Sequence, residues 1–355
     1  MTLPAGAASM LSRVYGRLAT WRRRSAARRP DLRRRLRSPV VSVGNLAVGG
    51  RGKTPVVASV AALLRDAGER PAVLSRGYAR QRVTDGVTIV RTPEHLVGSL
   101  DTAGDEPFML ARALDGVAVL VAEDRHLAGC VAEARLGCSV HVLDDGFQHF
   151  RLARDVDLLL ATPGDLRAGK LLPAGWLREP VDAARAASAL LVVEGTVADV
   201  AAIVDTLGIA RRFEVRQHLT VPRMVEPYGT PPRHPRSAPA IAVAGIARPE
   251  RFFEDLVAGG WNLVARVAFA DHHRYSLADV RAVAERATAA GAVLVLTTEK
   301  DVVRWLPLAP LPFPLAWVPV QADVAPAGEF RSWLLGRIEA ARTSAGSDPG
   351  PGPLR

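Results

Sequence analysis

The chain has 355 residues, 48% of them apolar, which is enough for one large domain or two ordinary ones with a substantial core. The net charge of +10 lies in residues 1–43, which hold eleven arginines and one acid, so the remainder is neutral and offers no extended basic groove. Two cysteines exclude a disulfide framework, no Cys/His cluster has zinc spacing, and no apolar run approaches the ~20 residues that span a bilayer.

Residues 1–37 form a basic arm with a predicted amphipathic helix. The apolar residues that share one helical face are Met10, Leu11, Val14, Tyr15, Leu18 and Trp21, and arginines lie off that face. Such a helix can lie in a membrane interface and be attracted by anionic lipid. Two alternatives stay open: a helix packed on the protein body, and an arm that binds nucleic acid, although no nucleic-acid-binding motif accompanies the arginines.

The stretch VVSVGNLAVGGRGKTPVV, from Val40 to Val57, predicts a buried strand, a glycine-rich turn and a helix. Glycines in the turn allow backbone N–H groups to wrap a phosphate at the N-terminus of the helix. We expect Lys53 to reach the outer phosphates of a nucleotide and the Thr54 hydroxyl to bind its magnesium ion. The predicted nucleotide-binding residues are Ala47, Val48, Gly49, Gly50, Arg51, Gly52, Lys53 and Thr54.

This turn departs from the P-loop pattern GxxxxGK[ST], because Ala47 stands where the first glycine belongs. An incidental lysine in a glycine-rich turn is the alternative. Composition favours phosphate binding, since the chain has 46 basic residues and its only lysines are Lys53, Lys170 and Lys300. A retained lysine indicates a position that needs a compact ammonium and not a planar guanidinium.

Predicted strands and helices alternate after this helix. Strands at 72–75, 87–90, 117–121, 139–143 and 156–160, with helices at 106–114 and 125–135, predict a parallel sheet covered on both faces. Ligands gather outside the carboxyl ends of such strands. The polar residues that follow each strand are therefore the candidate site residues.

Asp144 and Asp145 follow the strand 139–143, where a P-loop enzyme holds magnesium. Adjacent carboxylates repel each other unless a cation neutralises them. A plain Asp-Asp-Gly turn is the alternative. Gln148 and His149 follow on the same loop, close enough to contact a substrate. Arg178 is a further candidate, in the loop KLLPAGWLREP, whose apolar residues could meet lipid or pack.

Asp105 and His272 are the candidate acid–base residues. Asp105 precedes a predicted helix, which it could simply cap, although a carboxylate at that edge of the sheet could also accept a proton. His272 follows Asp271 after the predicted strand 263–269, and an Asp-His pair at a strand end is a candidate base with its orienting acid.

Residues 221–239, with six prolines among mostly polar residues, are the predicted linker. We expect a P-loop-type α/β core at 38–220, with a parallel sheet flanked by helices. A second, smaller α/β unit is expected at 240–343, with strands at 240–244, 263–269, 293–297 and 315–320. The Gly/Pro-rich tail, 344–355, is predicted to be disordered.

Seven segments in chain order resemble the tetraacyldisaccharide 4'-kinase family of lipid A biosynthesis. They are GNLAVGGRGKTP from Gly44, SRGY from Ser75, DEP from Asp105, LDDGFQH from Leu143, LLPAGWLREP from Leu171, FADHHRY from Phe269 and TTEKDVVR from Thr297. The alanine at position 47 agrees with the P-loop of that family. The resemblance covers nearly the whole chain.

The resemblance implies transfer of the ATP γ-phosphate to the 4'-hydroxyl of a tetraacylated disaccharide 1-phosphate, giving lipid IVA. It implies a peripheral enzyme at the cytoplasmic face of the inner membrane. It assigns Lys53 and Thr54 to nucleotide and magnesium, and Asp144 and Asp145 to the metal. Asp105 would activate the hydroxyl and His272 would assist it. Because these two residues come from different halves of the chain, we expect the two units to face each other and close on substrate.

Two other classes of protein fit the motifs less completely. A P-loop ATPase or GTPase could couple hydrolysis to membrane or nucleic-acid binding through the arm. A kinase or ligase acting on a soluble metabolite would leave the arm unexplained.

Overall fold

The computed structural model describes residues 5–49, 52–78, 80–82 and 86–346. Aliphatic runs become buried strands, as predicted. In chain order the strands are β1 (Val40–Asn45), β2 (Pro71–Ser75), β3 (Thr88–Arg91), β4 (Ala118–Val121), β5 (Val140–Asp144), β6 (Val156–Ala161), β7 (Ala189–Val193), β8 (Arg212–Leu219), β9 (Arg223–Met224), β10 (Ala240–Ala244), β11 (Leu263–Ala268), β12 (Leu294–Thr298), β13 (Leu315–Val318) and β14 (Val320–Ala325).

Helices cover both faces of the sheets that these strands form. In chain order the α-helices are α1 (Ala5–Arg28), α2 (Lys53–Asp66), α3 (Leu100–Ala103), α4 (Asp105–Ala113), α5 (Arg125–Leu136), α6 (Pro163–Ala168), α7 (Val197–Leu207), α8 (Pro249–Ala258), α9 (Leu277–Ala289), α10 (Glu299–Trp305) and α11 (Ala327–Gly346). Each helix that covers a sheet buries an apolar stripe, as α2 does with Val56, Val60 and Leu64.

The larger sheet has the strand order β14-β8-β7-β6-β1-β5-β2-β4-β3 among the described residues. Neighbours from β8 to β4 are parallel, and β14 and β3 are antiparallel edge strands. The central strands β1, β2 and β5 are buried along their whole length, as strands covered on both faces must be. The α/β fold class predicted from the alternating pattern is confirmed.

The smaller sheet has the order β11-β10-β12-β13-β9, parallel except for β9. With α8, α9 and α10 it forms what we call the smaller unit. The larger sheet and the remaining helices form the larger unit. The parallel register sets Val43 of β1 beside Asp144 of β5, so the turn after β1 and the acids after β5 meet at one edge.

The chain crosses between the units twice, which corrects the sequence-based grouping. Residues 315–320, expected as one strand, break at Pro319 into β13 of the smaller sheet and β14 of the larger. Because α11 packs on β14, residues 320–343 belong with the larger unit. The predicted linker 221–239 contains β9. At the two crossings, Thr220 N–H donates to the Pro319 carbonyl at 2.9 Å.

The ends of the chain are described in part. Residues 344–346, expected in a disordered tail, are the last residues of α11. Residues 347–355 of that tail and residues 1–4 of the arm lie outside the described residues. The wider division of the chain into domains stays a prediction.

Candidate active site

The turn after β1 leads directly into α2, as the phosphate-binding prediction requires. Gly52 precedes the helix with a left-handed φ of 69°, and no side chain caps α2, which leaves its first N–H groups available to an anion. Lys53 is the first residue of the helix, and its Nζ donates to Asn45 Oδ1 at 3.1 Å. An ammonium, a strand end and a helix N-terminus therefore come together at one point.

Contacts on both sides restrain this turn. Gln217 of β8 donates through Nε2 to the Gly52 carbonyl at 2.9 Å, and a Cβ on Gly52 would collide with the Gln217 side chain. Val48 N–H donates to the Trp176 carbonyl at 2.7 Å, so this N–H is directed to the 171–177 loop. Ala47 forms a bridge with the same loop. Gly50 and Arg51, also predicted to bind nucleotide, lie outside the described residues.

Asp144 and Asp145 end β5 beside Lys53 and differ in protonation. Burial, followed by repulsion from Glu106 and Asp145, raises the pKa of Asp144 to about 7. Asp145 lies 3.3 Å from Lys53 Nζ and 2.7 Å from Arg178 NH1. Burial also opposes ionisation of Asp145, but these two cations outweigh it and lower its pKa. Asp145 is therefore ionised at neutral pH, whereas full ionisation of Asp144 needs a further cation.

The acid pair and Thr54 have the oxygen ligands that suit a magnesium ion. Asp145 Oδ1 is buried and accepts no well-aligned hydrogen bond among the described residues, and the nearest cation is Lys53 Nζ at 3.3 Å, so a metal ion here would share this oxygen with Lys53. The described residues contain no cluster of three or more His, Cys, Asp or Glu side chains that could hold a metal alone. Magnesium binds readily through one or two carboxylates when substrate phosphates and water complete its shell.

Asp105 and His272 meet across the two units, 167 residues apart in sequence. His272 Nδ1 lies 2.9 Å from Asp105 Oδ2. Gly104 is the N-cap of α4, and Asp105, its first residue, makes no capping hydrogen bond, so the capping interpretation is wrong. His272 has a left-handed φ of 59° in the loop after β11. The two units face each other as predicted, and their closure on substrate stays a prediction.

A buried ion network supports this pair from the smaller unit. Arg304 is 4% exposed and donates to Asp301 Oδ1 at 2.7 Å and to the His273 carbonyl at 2.8 Å. Its Nε lies 3.7 Å from Asp105 Oδ2 and has no hydrogen-bond partner among the described residues. Asp301 is fully buried and also accepts from the Tyr275 hydroxyl. A fixed guanidinium therefore faces the Asp105 oxygen that His272 contacts.

Lys53, Thr54, Asp144 and Asp145 line one cleft of about 1340 Å³ between the units, together with Asp105 and His272. Part of its wall is cationic, and the arginines there are Arg22, Arg34, Arg76, Arg125 and Arg151. Burial, followed by repulsion from Arg76, lowers the pKa of Arg125. Such crowding of positive charge is relieved by an anionic ligand, so this wall suits a phosphate.

Gln148 and Arg178, two of the three tentative substrate residues, line the cleft but already have protein partners. Gln148 Nε2 donates to the Asn45 carbonyl at 3.0 Å and to Glu179 Oε2 at 3.1 Å, and its Oε1 has no partner in the described part of the chain. Arg178 contacts Asp145. A substrate could therefore use the Gln148 carbonyl oxygen without breaking either hydrogen bond.

His149, the third, is neutral at pH 7. Burial, followed by repulsion from Arg125 and Arg154, lowers its pKa to about 4. Its ring can therefore donate one hydrogen bond and accept another, but it adds no charge to the cationic wall.

Helix α1 packs on the body with one face and exposes another. Arg23 forms two hydrogen bonds with Glu179, at 2.8 and 2.6 Å, and Ser12 Oγ donates to the Leu171 carbonyl at 3.0 Å. The apolar residues lie on the exposed face, where Leu18 is 60% and Trp21 68% exposed. The packed-helix alternative is thus correct for one face and leaves the apolar face without a partner among the described residues. No helix in the described ranges is long and apolar enough to cross a membrane.

Sequence reasoning did not single out Asn45, Glu179 and Arg304. Asn45 had a signal, because it is a polar side chain at the end of a mainly apolar strand, next to a glycine-rich turn. The signal for Glu179, which is a charged residue between Arg178 and Pro180 in an apolar loop, was weaker. Arg304 ends the segment TTEKDVVR, but its role depends on an approach between the two units that only the fold creates.

Comparisons with known proteins give one consistent result. A family model described as tetraacyldisaccharide-1-P 4'-kinase matches residues 7–339. The tetraacyldisaccharide 4'-kinase of Geobacter metallireducens is 42% identical over 282 residues, which are 78% of this chain and 81% of the relative. That of Rhodopseudomonas palustris is 38% identical over 339 residues, 94% of this chain and 92% of the relative. The crystal structure of LpxK from Aquifex aeolicus in complex with ATP matches with a TM-score of 0.76 at 29% identity, covering 92% of this chain and 97% of that one.

Proposed function

Because the chain belongs to the tetraacyldisaccharide-1-P 4'-kinase family, we propose how its cleft holds both substrates and where it meets the membrane. The enzyme transfers the γ-phosphate of ATP to the 4'-hydroxyl of tetraacyldisaccharide 1-phosphate, giving lipid IVA in lipid A biosynthesis. One observation carries the assignment of roles: the Asp105–His272 pair and the Lys53–Asp145 pair line the same cleft.

We assign the nucleotide to the turn between β1 and α2. Lys53 offsets charge on the transferring phosphoryl group, and most of the rate enhancement comes from alignment of the reactants. Thr54, Asp144 and Asp145 are the residues that would hold magnesium, which supplies charge neutralisation at the phosphates when bound. Arg178 and Lys53 keep Asp145 ionised for that purpose.

Asp105 takes the proton of the acceptor hydroxyl. A sugar hydroxyl is a weak nucleophile, so its oxygen bonds to the γ-phosphorus while Asp105 accepts its proton and the bond to the leaving ADP breaks. His272 orients the carboxylate through its Nδ1 contact. The cationic wall and the free Gln148 oxygen suit the phosphate and the hydroxyl groups of the acceptor.

The exposed face of α1 is the proposed membrane contact. It presents Met10, Leu18 and Trp21 to solvent, flanked by arginines that attract anionic headgroups. The loop 171–177 docks against the same helix, and its Trp176 is 39% exposed. The acyl chains of the acceptor could then stay in lipid at the cytoplasmic face of the inner membrane while the sugar enters the cleft.

Transfer of labelled phosphate tests the reaction. Purified enzyme with γ-labelled ATP and magnesium should phosphorylate the acylated disaccharide 1-phosphate, and a deacylated sugar should react much more slowly. Lys53→Met should abolish transfer. Release of inorganic phosphate without labelled lipid would contradict the proposal and point to a hydrolase.

Vesicle sedimentation tests the membrane contact. Leu18→Glu combined with Trp21→Glu should release the enzyme from anionic vesicles and raise the apparent KM for the lipid acceptor, with nucleotide affinity unchanged. Val257→Glu, at a 46% exposed position of α8, is the matched control. Deletion of the arm is a poorer test, because it would leave Glu179, 3% exposed, without Arg23. Retention of the double variant on vesicles at wild-type level would rule out this surface.

A further inference from the structure

Lys300, in the first turn of α10, contacts His272 on the side of the ring away from Asp105. Its Nζ lies 3.1 Å from His272 Nε2, 3.4 Å from Asp271 Oδ1 and 4.0 Å from Glu106 Oε1. The two carboxylates stabilise the ammonium in this position. Both ring nitrogens of His272 are therefore in contact with a partner, and the two partners have opposite charges.

The chemistry of the ammonium decides which ring nitrogen carries the proton. An ammonium has three donors and no acceptor, so it can hydrogen bond to His272 only by donating to Nε2. An Nε2 that accepts has no proton of its own, and the neutral ring then carries its proton on Nδ1. That Nδ1–H donates to Asp105 Oδ2. Asp105 Oδ1, without a hydrogen-bond partner in the described part of the chain, stays available for the acceptor hydroxyl.

A second carboxylate competes for the same ring. Asp271 Oδ1 lies 3.9 Å from His272 Nε2, and a small movement would let it accept a proton from that nitrogen. In that tautomer Nδ1 could not donate to Asp105. The charged groups around the ring are Asp105 and Glu106 on α4, Asp271 in its own loop, and Lys300 and Arg304 on α10. Lys300 is the donor among them that reaches Nε2.

We propose that Lys300 is a positioning residue that selects the His272 tautomer able to donate to Asp105. It thereby fixes which Asp105 oxygen receives the proton of the acceptor hydroxyl. This inference rests on the proposed role of Asp105 as the base. It also explains why one of only three lysines in the chain stands here, since a planar guanidinium would not reach His272, Asp271 and Glu106 together.

Nitrogen NMR of the histidine rings tests the tautomer without any assay of activity. In the full-length protein labelled with ¹⁵N-histidine, His272, assigned from the spectrum of His272→Gln, should be protonated at Nδ1 in the wild type. In Lys300→Met the Nε2–H tautomer should gain population. Arg281→Met, at an exposed position of α9, should leave the spectrum unchanged. An unaltered His272 signal in folded Lys300→Met would overturn the inference, even if the enzyme is the proposed kinase.

A double-mutant cycle separates positioning from direct charge stabilisation. Lys300→Met should lower kcat roughly 10- to 100-fold, with the KM for ATP unchanged. In a His272→Ala background the same change should have little further effect, because the group through which Lys300 acts is gone. An equal loss in both backgrounds would mean that Lys300 contacts phosphate itself, and the inference would be wrong.

Discussion

Asp144 ends β5 and His149 lies on the loop that follows it, and burial shifts their pKa values in opposite directions. The pKa of the carboxyl rises to about 7 and that of the imidazole falls to about 4, because loss of water favours the uncharged form of each. Charge at this edge of the sheet is therefore set by the depth of each side chain and by Lys53, Arg178 and Arg125. This edge of the sheet therefore favours a cation beside the carboxylates of Asp144 and Asp145 and an anion beside Arg125.

His149 should make the protein sensitive to acid. Its folded pKa of about 4 lies below the ordinary value of 6.5, so the unfolded state binds the proton first as the pH falls. The contribution to stability is complete above pH 6.5 and is lost between pH 6.5 and 4. Between pH 7.5 and 5, urea unfolding should show that the wild type loses about 1 to 2 kcal/mol more than His149→Gln. The exposed His234→Gln should behave as the wild type, and equal losses in all three proteins would contradict the prediction.

Asp105→Asn should remove the proton acceptor and leave the nucleotide site intact. We expect kcat to fall by roughly 10² to 10⁴-fold with little change in the KM for ATP, as is usual when a general base is lost. Steady-state kinetics with the lipid acceptor measures both. Asp182→Asn, whose side chain is 82% exposed, is the control. Near wild-type turnover in Asp105→Asn would show that another group takes the proton.

For individual residues, the sequence predicted the site correctly where the residues lie next to their motif in the chain. Lys53 follows its glycines directly, and Asp144 and Asp145 follow their strand, so pattern and spacing were enough to predict that they meet. The contacts of the Asp105–His272 pair, and of His272 in particular, could not be predicted in this way. Lys300 contacts its ring and Arg304 faces its partner Asp105, both from a helix about 30 residues downstream, and these contacts depend on how α10 packs on α4. Side-chain reach across two units cannot be read from spacing.

Helix α1 connects the surface of the molecule to the catalytic loop. Arg23 joins Glu179, which Gln148 also contacts, and its guanidinium lies 4.3 Å from the centre of the Phe147 ring. The helix whose exposed apolar face is the proposed membrane contact therefore touches the loop that follows the acid pair. We therefore expect the position of α1 to influence the active site as well as the proposed membrane contact.

Arg23→Met should destabilise the fold more than its position on a terminal helix suggests. Glu179 would remain buried with only the Gln148 amide as partner, and breaking a buried ion pair costs about 3 kcal/mol. Urea unfolding should show this loss, whereas Arg24→Met, at an exposed position one residue along, should be nearly neutral. Equal stability of the two variants would indicate that Glu179 takes up a proton or finds water.

The elements themselves were mostly predictable, and the exceptions have physical causes. β10 is a continuous aliphatic run, and aliphatic residues predominate in β1, β2 and β5, a pattern that a buried parallel strand explains well. The run 315–320 gave the same signal, yet Pro319 divides it between two sheets. A proline removes a backbone donor, so the ladder can end there, but the pattern does not tell which sheet the next residue joins.

The two units share a continuous apolar core. Trp305 of α10 is fully buried and stacks on Tyr275 with ring centres 4.0 Å apart, and Phe108 of α4 belongs to the same cluster. Helix α4 belongs to the larger unit, yet it carries Asp105 against His272 at its start and Arg112 against Tyr228 near its end. The molecule should therefore unfold as one cooperative body.

Trp305→Ala tests this cooperativity. The cavity should cost about 3 to 5 kcal/mol. Hydrogen exchange should show lost protection in β1 and β5 of the larger sheet as well as in β10 and β12 of the smaller one. Val264→Ala, at a 42% exposed edge position, should change neither. Loss of protection confined to the smaller sheet would mean that the units unfold independently.

The two crossings between β8 and β14 have a consequence for motion. Leu219 and Val320 are partners in one antiparallel ladder, so the smaller unit leaves the larger one and returns to it at adjacent points. A body attached at two neighbouring points can swing about the line through them, whereas twisting or sliding would break the ladder. Under the predicted closure, each swing would bring His272 back along the same arc to the same oxygen of Asp105. The two adjacent crossings would thus preserve the alignment of His272 with Asp105 over repeated catalytic cycles.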